Sequence, residues 1–146
     1  MNTSGNVIAP AARLAIEDLL SEFSSRVDGD KADTVHELFV ESGRIETPLF
    51  VLASRDEIHQ RFTARARDTT RKTRHYWSNP RFSGDERQIT VVTNVMTVIN
   101  VAGAQTVITG GTSTDVVVPH AEGWAFQSRR LEVIFEGTLG AREPHP

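Results

Sequence analysis

The chain has 146 residues, a net charge of −3 and a pI near 5.9, values that give no reason to expect binding to nucleic acid. The absence of cysteine excludes disulfides and thiolate metal sites, and no apolar run approaches the roughly 20 residues that a membrane-spanning helix needs. Because the first residues also lack the pattern of a signal peptide, we expect one cytoplasmic domain spanning 1–146, with loose tails at about 1–6 and 142–146 and no membrane partner.

A first helix is predicted to begin at Pro10, since proline is favoured in the first helical turn. The apolar residues that follow recur with helical spacing along one face. These residues are Ile16, Leu19, Leu20, Phe23 and Val27. Beyond them, Gly29 suits a left-handed helix end and Asp30 suits the cap of a second helix.

The second predicted helix contains Val35, Leu38 and Phe39 and ends before Gly43. A short strand at 44–47 follows it. Both elements lie in the N-terminal part of the chain, ahead of any long strand.

A third helix is predicted to begin after Ser54, which forms a capping box with Glu57. Later in the chain the apolar residues recur at every second position, which predicts long strands. The predicted strands are 73–82, 87–101, 105–118 and 124–136.

Helices that precede a run of antiparallel strands predict an α+β fold with the helices on one face of the sheet. The strand 89–101 is apolar on both faces, so one face can meet the helices while the other lines a cavity or a partner subunit. Gly110 and Gly111 indicate a bulge, which curves a sheet. We therefore predict a cone in which three N-terminal helices pack on a curved, mainly antiparallel sheet.

Three segments resemble the SnoaL-like branch of the NTF2-like superfamily, which includes scytalone-dehydratase-like and polyketide-cyclase-like proteins. They are 16–39, which contains Asp28-Gly-Asp-Lys-Ala-Asp33, then Thr-Arg-His-Tyr-Trp-Ser-Asn-Pro at 73–80, and Gly-Trp-Ala-Phe-Gln-Ser-Arg-Arg at 123–130. The resemblance covers about residues 10 to 136 and implies an NTF2-like cone that encloses a pocket for a small molecule. The superfamily contains dehydratases, isomerases and cyclases as well as non-catalytic subunits and binding modules.

The resemblance also implies a catalytic pair. In scytalone-dehydratase-like members, an aspartate after the first helix meets a strand histidine, and the matching positions here are Asp28 and His75. A carboxylate on one imidazole nitrogen fixes the tautomer and leaves the other nitrogen free to move a proton. The alternative is that Asp28 is a turn residue and His75 a structural sheet histidine.

Further pocket candidates come from the same strands. The scytalone-dehydratase pattern has tyrosines where the nearest matches here are Val27 and Thr47. It also has a second histidine near the place of Asn94, Met96 or Val98, so this sequence departs from it. Trp77 shares the predicted face of His75, although a core position is an alternative for it. The predicted pocket residues are Thr47, Trp77, Asn94, Met96, Asp115 and Arg129. An arginine in the pocket would recognise a carboxylate or enolate oxygen.

A basic run connects the third helix to the first long strand. It contains Arg61, Arg65, Arg67, Arg71, Lys72 and Arg74. Without interleaved aromatic residues, and in an acidic protein, this run indicates a solvated connection or an attraction for an anionic substrate. The histidines lack metal-ligand spacing, and no nucleophile elbow, P-loop or dinucleotide motif occurs, so we expect no metal and no cofactor.

These features predict a cofactor-independent proton-transfer enzyme, of the dehydratase, isomerase or cyclase type, that acts on a small hydrophobic, cyclic or aromatic metabolite through Asp28 and His75. The alternative is a non-catalytic ligand-binding protein or a structural subunit, like the β subunits of ring-hydroxylating dioxygenases that the closing strand also resembles. Since superfamily members commonly pair through the outer sheet face, the resemblance also implies a homodimer.

Overall fold

The computed structural model describes residues 7–139, so the tails predicted at 1–6 and 142–146 lie outside it. The helices are α1 (Pro10–Asp28), a 3₁₀ helix (Ala32–Leu38) and α2 (Arg55–Arg67). The strands are β1 (Phe39–Glu46), β2 (Val51–Leu52), β3 (Arg71–Asp85), β4 (Gln88–Val101), β5 (Thr106–His120) and β6 (Gly123–Leu139). The predicted α+β class is confirmed. No helix within 7–139 is both long enough and apolar enough to span a bilayer.

All six strands form one curved sheet in the order β2-β1-β6-β5-β4-β3. Every neighbouring pair is antiparallel except β1 and β6, which run parallel. The register between β5 and β6 shifts between Gly110 and Gly111, at the predicted bulge. A Cβ atom at Gly111 would overlap the carbonyl oxygen of Glu132, so the close approach of the two strands requires glycine there.

The core lies where α1, the 3₁₀ helix and α2 cover one half of the sheet. The ring of Phe23 on α1 lies edge-on to the rings of Phe39, Phe62 and Phe126, with centroid separations of 6.0–6.2 Å. Burial of each large apolar side chain contributes about 1.5–3 kcal/mol, so this aromatic cluster fixes the helices on the sheet.

The strand β4 shows how one face serves two purposes. Near its start, Ile89 and Val91 are fully buried in the core. Further along the same face, Val95, Thr97 and Ile99 line a cavity instead. The helices therefore cover only half of this face, and the other half stays open to a ligand.

The second predicted helix differs from the prediction. It is a 3₁₀ helix that ends at Leu38, and Phe39 begins β1 because its backbone pairs in parallel with Phe126. Gly29 is extended rather than left-handed, with φ −99° and ψ −150°, and its N–H bonds back into α1. The side chain of Asp30 caps nothing, since the 3₁₀ helix has no side-chain cap.

The capping box that begins α2 is confirmed. The Ser54 hydroxyl accepts a hydrogen bond from the Glu57 backbone N–H at 3.2 Å. The Glu57 carboxylate in turn accepts one from the Ala53 N–H at 2.6 Å. Two backbone donors at the helix start are thus satisfied within the segment.

Candidate active site

A cavity of about 430 Å³ lies between the concave face of the sheet and the helices α1 and α2. Its walls are mostly apolar, and they include Phe23, Val27, Ile45, Phe62, Val95 and Leu131. A volume of this size matches pockets that hold small molecules. The few polar groups on the wall therefore decide what the cavity can do.

Asp28 and His75 meet at this cavity, although 47 residues separate them in the chain. Asp28 is the last residue of α1, and His75 lies on the cavity face of β3. The Nδ1 atom of His75 is 2.6 Å from Asp28 Oδ1, and the His75 backbone N–H donates to Asp28 Oδ2 at 2.7 Å. His75 belongs to the cavity lining, with 29% of its side chain exposed, whereas Asp28 lies behind it with 10% exposed.

These contacts set the state of both groups. Burial by itself raises the pKa of the Asp28 carboxyl group, but the hydrogen bonds and charge of His75 and the hydroxyl of Thr73 outweigh it, so the pKa is lowered. A carboxylate accepts only, so Nδ1 of His75 must carry the hydrogen. The other ring nitrogen, Nε2, is then the one available to a ligand.

Thr73 extends the pair toward α2. Its buried hydroxyl donates to Asp28 Oδ1 at 2.7 Å and accepts from Arg65 Nη2 at 3.2 Å. The guanidinium of Arg65 is thus two hydrogen bonds from the carboxylate.

Arg129 is the second fixed polar group of the cavity wall. Its Nε and Nη2 atoms form a bidentate pair with Asp115, at 2.9 and 3.0 Å, and its guanidinium lies 4.1 Å from the ring centroid of Phe23. Asp115 is 0% exposed and also accepts from the Ser113 hydroxyl at 2.8 Å. The pair uses two of the five guanidinium N–H donors, so both N–H groups of Nη1 and the second N–H of Nη2 remain for a ligand oxygen.

Of the predicted pocket residues, Thr47 and Arg129 line the cavity. Asp115 lies behind Arg129 rather than on the wall. The hydroxyl of Thr47 also accepts from the backbone N–H groups of Leu49 and Phe50, both at 3.1 Å, and so shapes the loop at the cavity edge.

The other three predicted pocket residues, Asn94, Met96 and Trp77, are not part of the cavity lining. Asn94 and Met96 point away from the cavity because Val95 and Thr97 occupy the inner face of β4, and neighbouring residues of a strand alternate. Trp77 shares the face of His75 but packs against the core. Whether a residue on this face of β3 meets the core or the cavity depends on how far the helices extend along the strand. The alternation of apolar and polar residues in the sequence does not show this.

Three arginines of the basic run belong to the cavity wall, although none of them was among the pocket residues predicted from the sequence. Arg61, Arg65 and Arg71 line the cavity, whereas Arg67 and Lys72 do not. The helical i,i+4 spacing of the first two could have placed them on one face, and Arg71 alternates with the inward-facing strand residues. Among residues 7–139, no three histidine, aspartate or glutamate side chains are gathered as a metal site.

The fold is that of the NTF2-like superfamily, and its cavity has the size of a small-molecule binding site. Residues 10–130 match the model of the SnoaL-like domain, so the chain belongs to the SnoaL-like family. The proposed resemblance is therefore confirmed. No protein with a curated description matches the chain in sequence.

Solved structures show the same fold at low sequence identity. A provisionally named scytalone dehydratase from Novosphingobium aromaticivorans DSM 12444 is 23% identical, with a TM-score of 0.80 over 93% of both chains. The hexachlorocyclohexane dehydrochlorinase LinA-type3 from Novosphingobium barchaimii LL02 is 16% identical, with a TM-score of 0.78 over 93% of this chain and 95% of that one. A provisionally named aromatic ring hydroxylase from Novosphingobium aromaticivorans is 19% identical, with a TM-score of 0.81 over 91% and 96%.

Proposed function

We propose that the protein is a cofactor-independent lyase or isomerase that removes a proton from carbon in a small hydrophobic, cyclic or aromatic metabolite. The observation that carries this proposal is His75, which lines an apolar cavity while Asp28 holds its Nδ1 atom at 2.6 Å. An imidazole fixed in this way presents Nε2 to a ligand as a general base.

The geometry supports a simple sequence of steps. Nε2 of His75 accepts the proton from the carbon, and the electrons of that C–H bond form an enolate or a new double bond. Asp28 acts as a positioning residue and stabilises the imidazolium. Arg129, fixed by Asp115, donates through Nη1 to the oxygen on which negative charge develops. Return of the proton to another carbon completes an isomerisation, and its transfer to a departing hydroxyl completes a dehydration.

The similar structures agree with this class of reaction. The names of two of them, a provisionally named scytalone dehydratase and a dehydrochlorinase, describe the elimination of water and of hydrogen chloride. Their identity to this chain is too low to transfer a substrate, and the departures from the dehydratase pattern at Val27 and Thr47 argue for a different one.

The test uses a generic elimination probe because it needs only a base in an apolar cavity. Nitrobenzisoxazole loses one proton to the base, its N–O bond breaks, and a coloured cyanophenolate forms. We expect catalysis by the native protein and a loss of about a hundredfold or more in His75→Gln, the size of a general-base contribution. The matched control is His59→Gln, since His59 on α2 lies outside this cavity.

Equal rates for the native protein and His75→Gln would contradict the enzyme proposal. If both then bound an aromatic ligand without turnover, the non-catalytic ligand-binding protein or structural subunit would be the better description. Deuterium exchange of the α-protons of a cyclic ketone, followed by NMR, gives a second readout of the same proton transfer.

We further propose that the whole chain is one cytoplasmic domain that forms a homodimer through the outer sheet face. Tyr76, Met96 and Phe135 are exposed there. They lie side by side across the sheet, because Met96 pairs with Tyr76 on one side and with Gly110 on the other, and the ring of Phe135 covers Gly110. Such an apolar patch is typical of an interface. Sedimentation should show a dimer at micromolar concentration that Met96→Glu dissociates, and a monomeric native protein would contradict this.

A further inference from the structure

Three arginines from two elements face the cavity together. Arg61 and Arg65 lie four positions apart on α2. Arg71 begins β3 on the same side as Thr73 and His75. With Arg129, four arginines line the cavity against two glutamates, Glu46 and Glu136. The guanidinium of Arg129 is neutralised by Asp115, so the net positive charge comes from the other three.

No carboxylate pairs with these three guanidinium groups within residues 7–139. The carboxylate of Asp68, which follows α2, accepts from the backbone and hydroxyl of Thr70, at 3.0 and 2.6 Å. Glu46 is 3.9 Å from Arg44. Within residues 7–139, these three guanidinium groups therefore have no salt bridge, although the Asp68 carboxylate attracts Arg65 and Arg71 from a longer distance.

This arrangement costs stability. Like charges at i,i+4 on a helix destabilise the helix, and Arg61 and Arg65 have this spacing. Partial desolvation lowers the pKa of the Arg71 guanidinium even though the residue as a whole is exposed. Repulsion from Arg65 and Arg61 acts in the same direction, and the nearby Asp68 carboxylate opposes it without reversing it. The helix dipole favours cations in the last turn of α2, which suits Arg65 and Arg67. It does not account for Arg61, one turn earlier, or for Arg71 on β3.

Two of the three side chains are already oriented. The guanidinium of Arg61 lies over the ring of Phe50, 4.1 Å from its centroid, which leaves its in-plane N–H groups free to donate. Arg65 is held by its hydrogen bond to Thr73 at 3.2 Å. A planar oxyanion binds best to guanidinium groups that are fixed before it arrives.

We propose that the natural ligand of this cavity is an apolar ring compound that carries a carboxylate, and that Arg61, Arg65 and Arg71 bind the carboxylate. Such a compound is the substrate class of the proposed enzyme. Only the placement of its reacting carbon at His75 rests on the proposed function. The anion site itself follows from the arginines.

The strand geometry limits the size of this ligand. Arg71 and His75 are four residues apart on one face of β3, which is about 13 Å along a strand at roughly 3.3 Å per residue. Because both side chains reach into the cavity, a ligand of about two fused rings with one carboxylate can contact both ends. A cavity of about 430 Å³ accommodates such a molecule.

The test compares two probes of nearly the same shape, naphthoate and naphthamide, by isothermal titration calorimetry. The amide is neutral and has an NH₂ donor in place of one carboxylate oxygen. The native protein should bind naphthoate at least about tenfold tighter, the value of roughly one charged hydrogen bond. Arg61→Met and Arg71→Met should each remove most of this preference by weakening naphthoate and not naphthamide. Added salt should weaken naphthoate selectively.

The matched controls are Arg67→Met on the same helix and Lys72→Met on the same strand, because neither residue lines the cavity. Equal affinity of the two probes for the native protein would overturn the proposal, as would controls that reduce the preference as much as Arg61→Met does. Failure of both probes to bind at millimolar concentration would also count against it. The calorimetric measurement involves no turnover. A negative result there contradicts the carboxylate site alone, whereas a negative result in the elimination assay contradicts the role of His75 as the base.

Discussion

The substitution Asp28→Asn tests how the carboxylate at the end of α1 controls the imidazole of His75. The carboxylate accepts three hydrogen bonds of 2.6–2.7 Å, from the Thr73 hydroxyl and from the backbone N–H and Nδ1 of His75. Asparagine has the same shape, but one of its two terminal groups is a donor. If the asparagine oxygen keeps the hydrogen bond from the His75 backbone N–H, the asparagine NH₂ group faces Nδ1 of His75. Nδ1 must then accept a hydrogen bond, so the hydrogen of the neutral ring moves to Nε2.

The variant should therefore fold and hold His75 in the tautomer that cannot take a proton from substrate. We expect a loss of about 10²–10⁴-fold in the rate of proton transfer. A hydrogen bond to a charged group contributes about 1 kcal/mol more than a neutral one, so the three bonds set an upper limit of about 3 kcal/mol on the loss in free energy of unfolding.

This loss should depend on pH in a defined direction. Because folding lowers the pKa of Asp28 below its ordinary value of 3.8, the carboxylate stabilises the fold fully above that value. The stabilisation disappears as the pH falls below 3.8 through the lower folded value. The difference between native protein and Asp28→Asn should then be largest at neutral pH and shrink in acid.

NMR of the imidazole nitrogens in isotope-labelled protein reports the tautomer, and urea unfolding at several pH values reports the stability. Asp30→Asn is the control, since Asp30 is exposed two residues away. An unchanged tautomer with an undiminished rate would refute the role of Asp28. A stability difference that persists unchanged in acid would refute the electrostatic argument.

Three further substitutions test the scaffold by chemical denaturation. Gly111→Ala should destabilise the fold by about 1–3 kcal/mol, because the new Cβ overlaps the Glu132 carbonyl oxygen and forces β5 and β6 apart. Asp115→Ala should cost about 3–5 kcal/mol, because it leaves the Arg129 guanidinium without its partner at a side chain only 12% exposed. Ser54→Ala should cost about 1 kcal/mol through loss of the cap of α2.

Each scaffold substitution has a control. Gly137→Ala adds the same methyl group on β6 where nothing lies within 4 Å, so its effect should stay within about 0.5 kcal/mol. Adding Arg129→Met to Asp115→Ala should cost less than the sum of the two, since the double variant has no unpaired charge. Ser54→Asp should retain stability, and a loss as large as that of Ser54→Ala would argue against the cap.

The local features of the fold could be predicted from the sequence because each depends on neighbouring residues. The apolar spacing after Pro10 predicted α1, and the Ser54 capping box predicted the start of α2. The limits of the second helix were wrong because they depend on a distant partner. Phe39 leaves the helical conformation to pair with Phe126, and no local signal encodes that contact.

The candidate site was determined in part by sequence and in part by tertiary structure. The sequence, through its family resemblance, singled out Asp28 and His75, and alternation along β4 gave the set of residues on each face. Only the tertiary structure decided which half of a face is covered by helices and which half remains a cavity. This explains why Trp77 packs against the core while Arg61 and Arg71 line the cavity. The periodicity of the sequence predicts to which side of a strand or helix a side chain points, but the packing of the helices on the sheet determines whether that side is core or cavity.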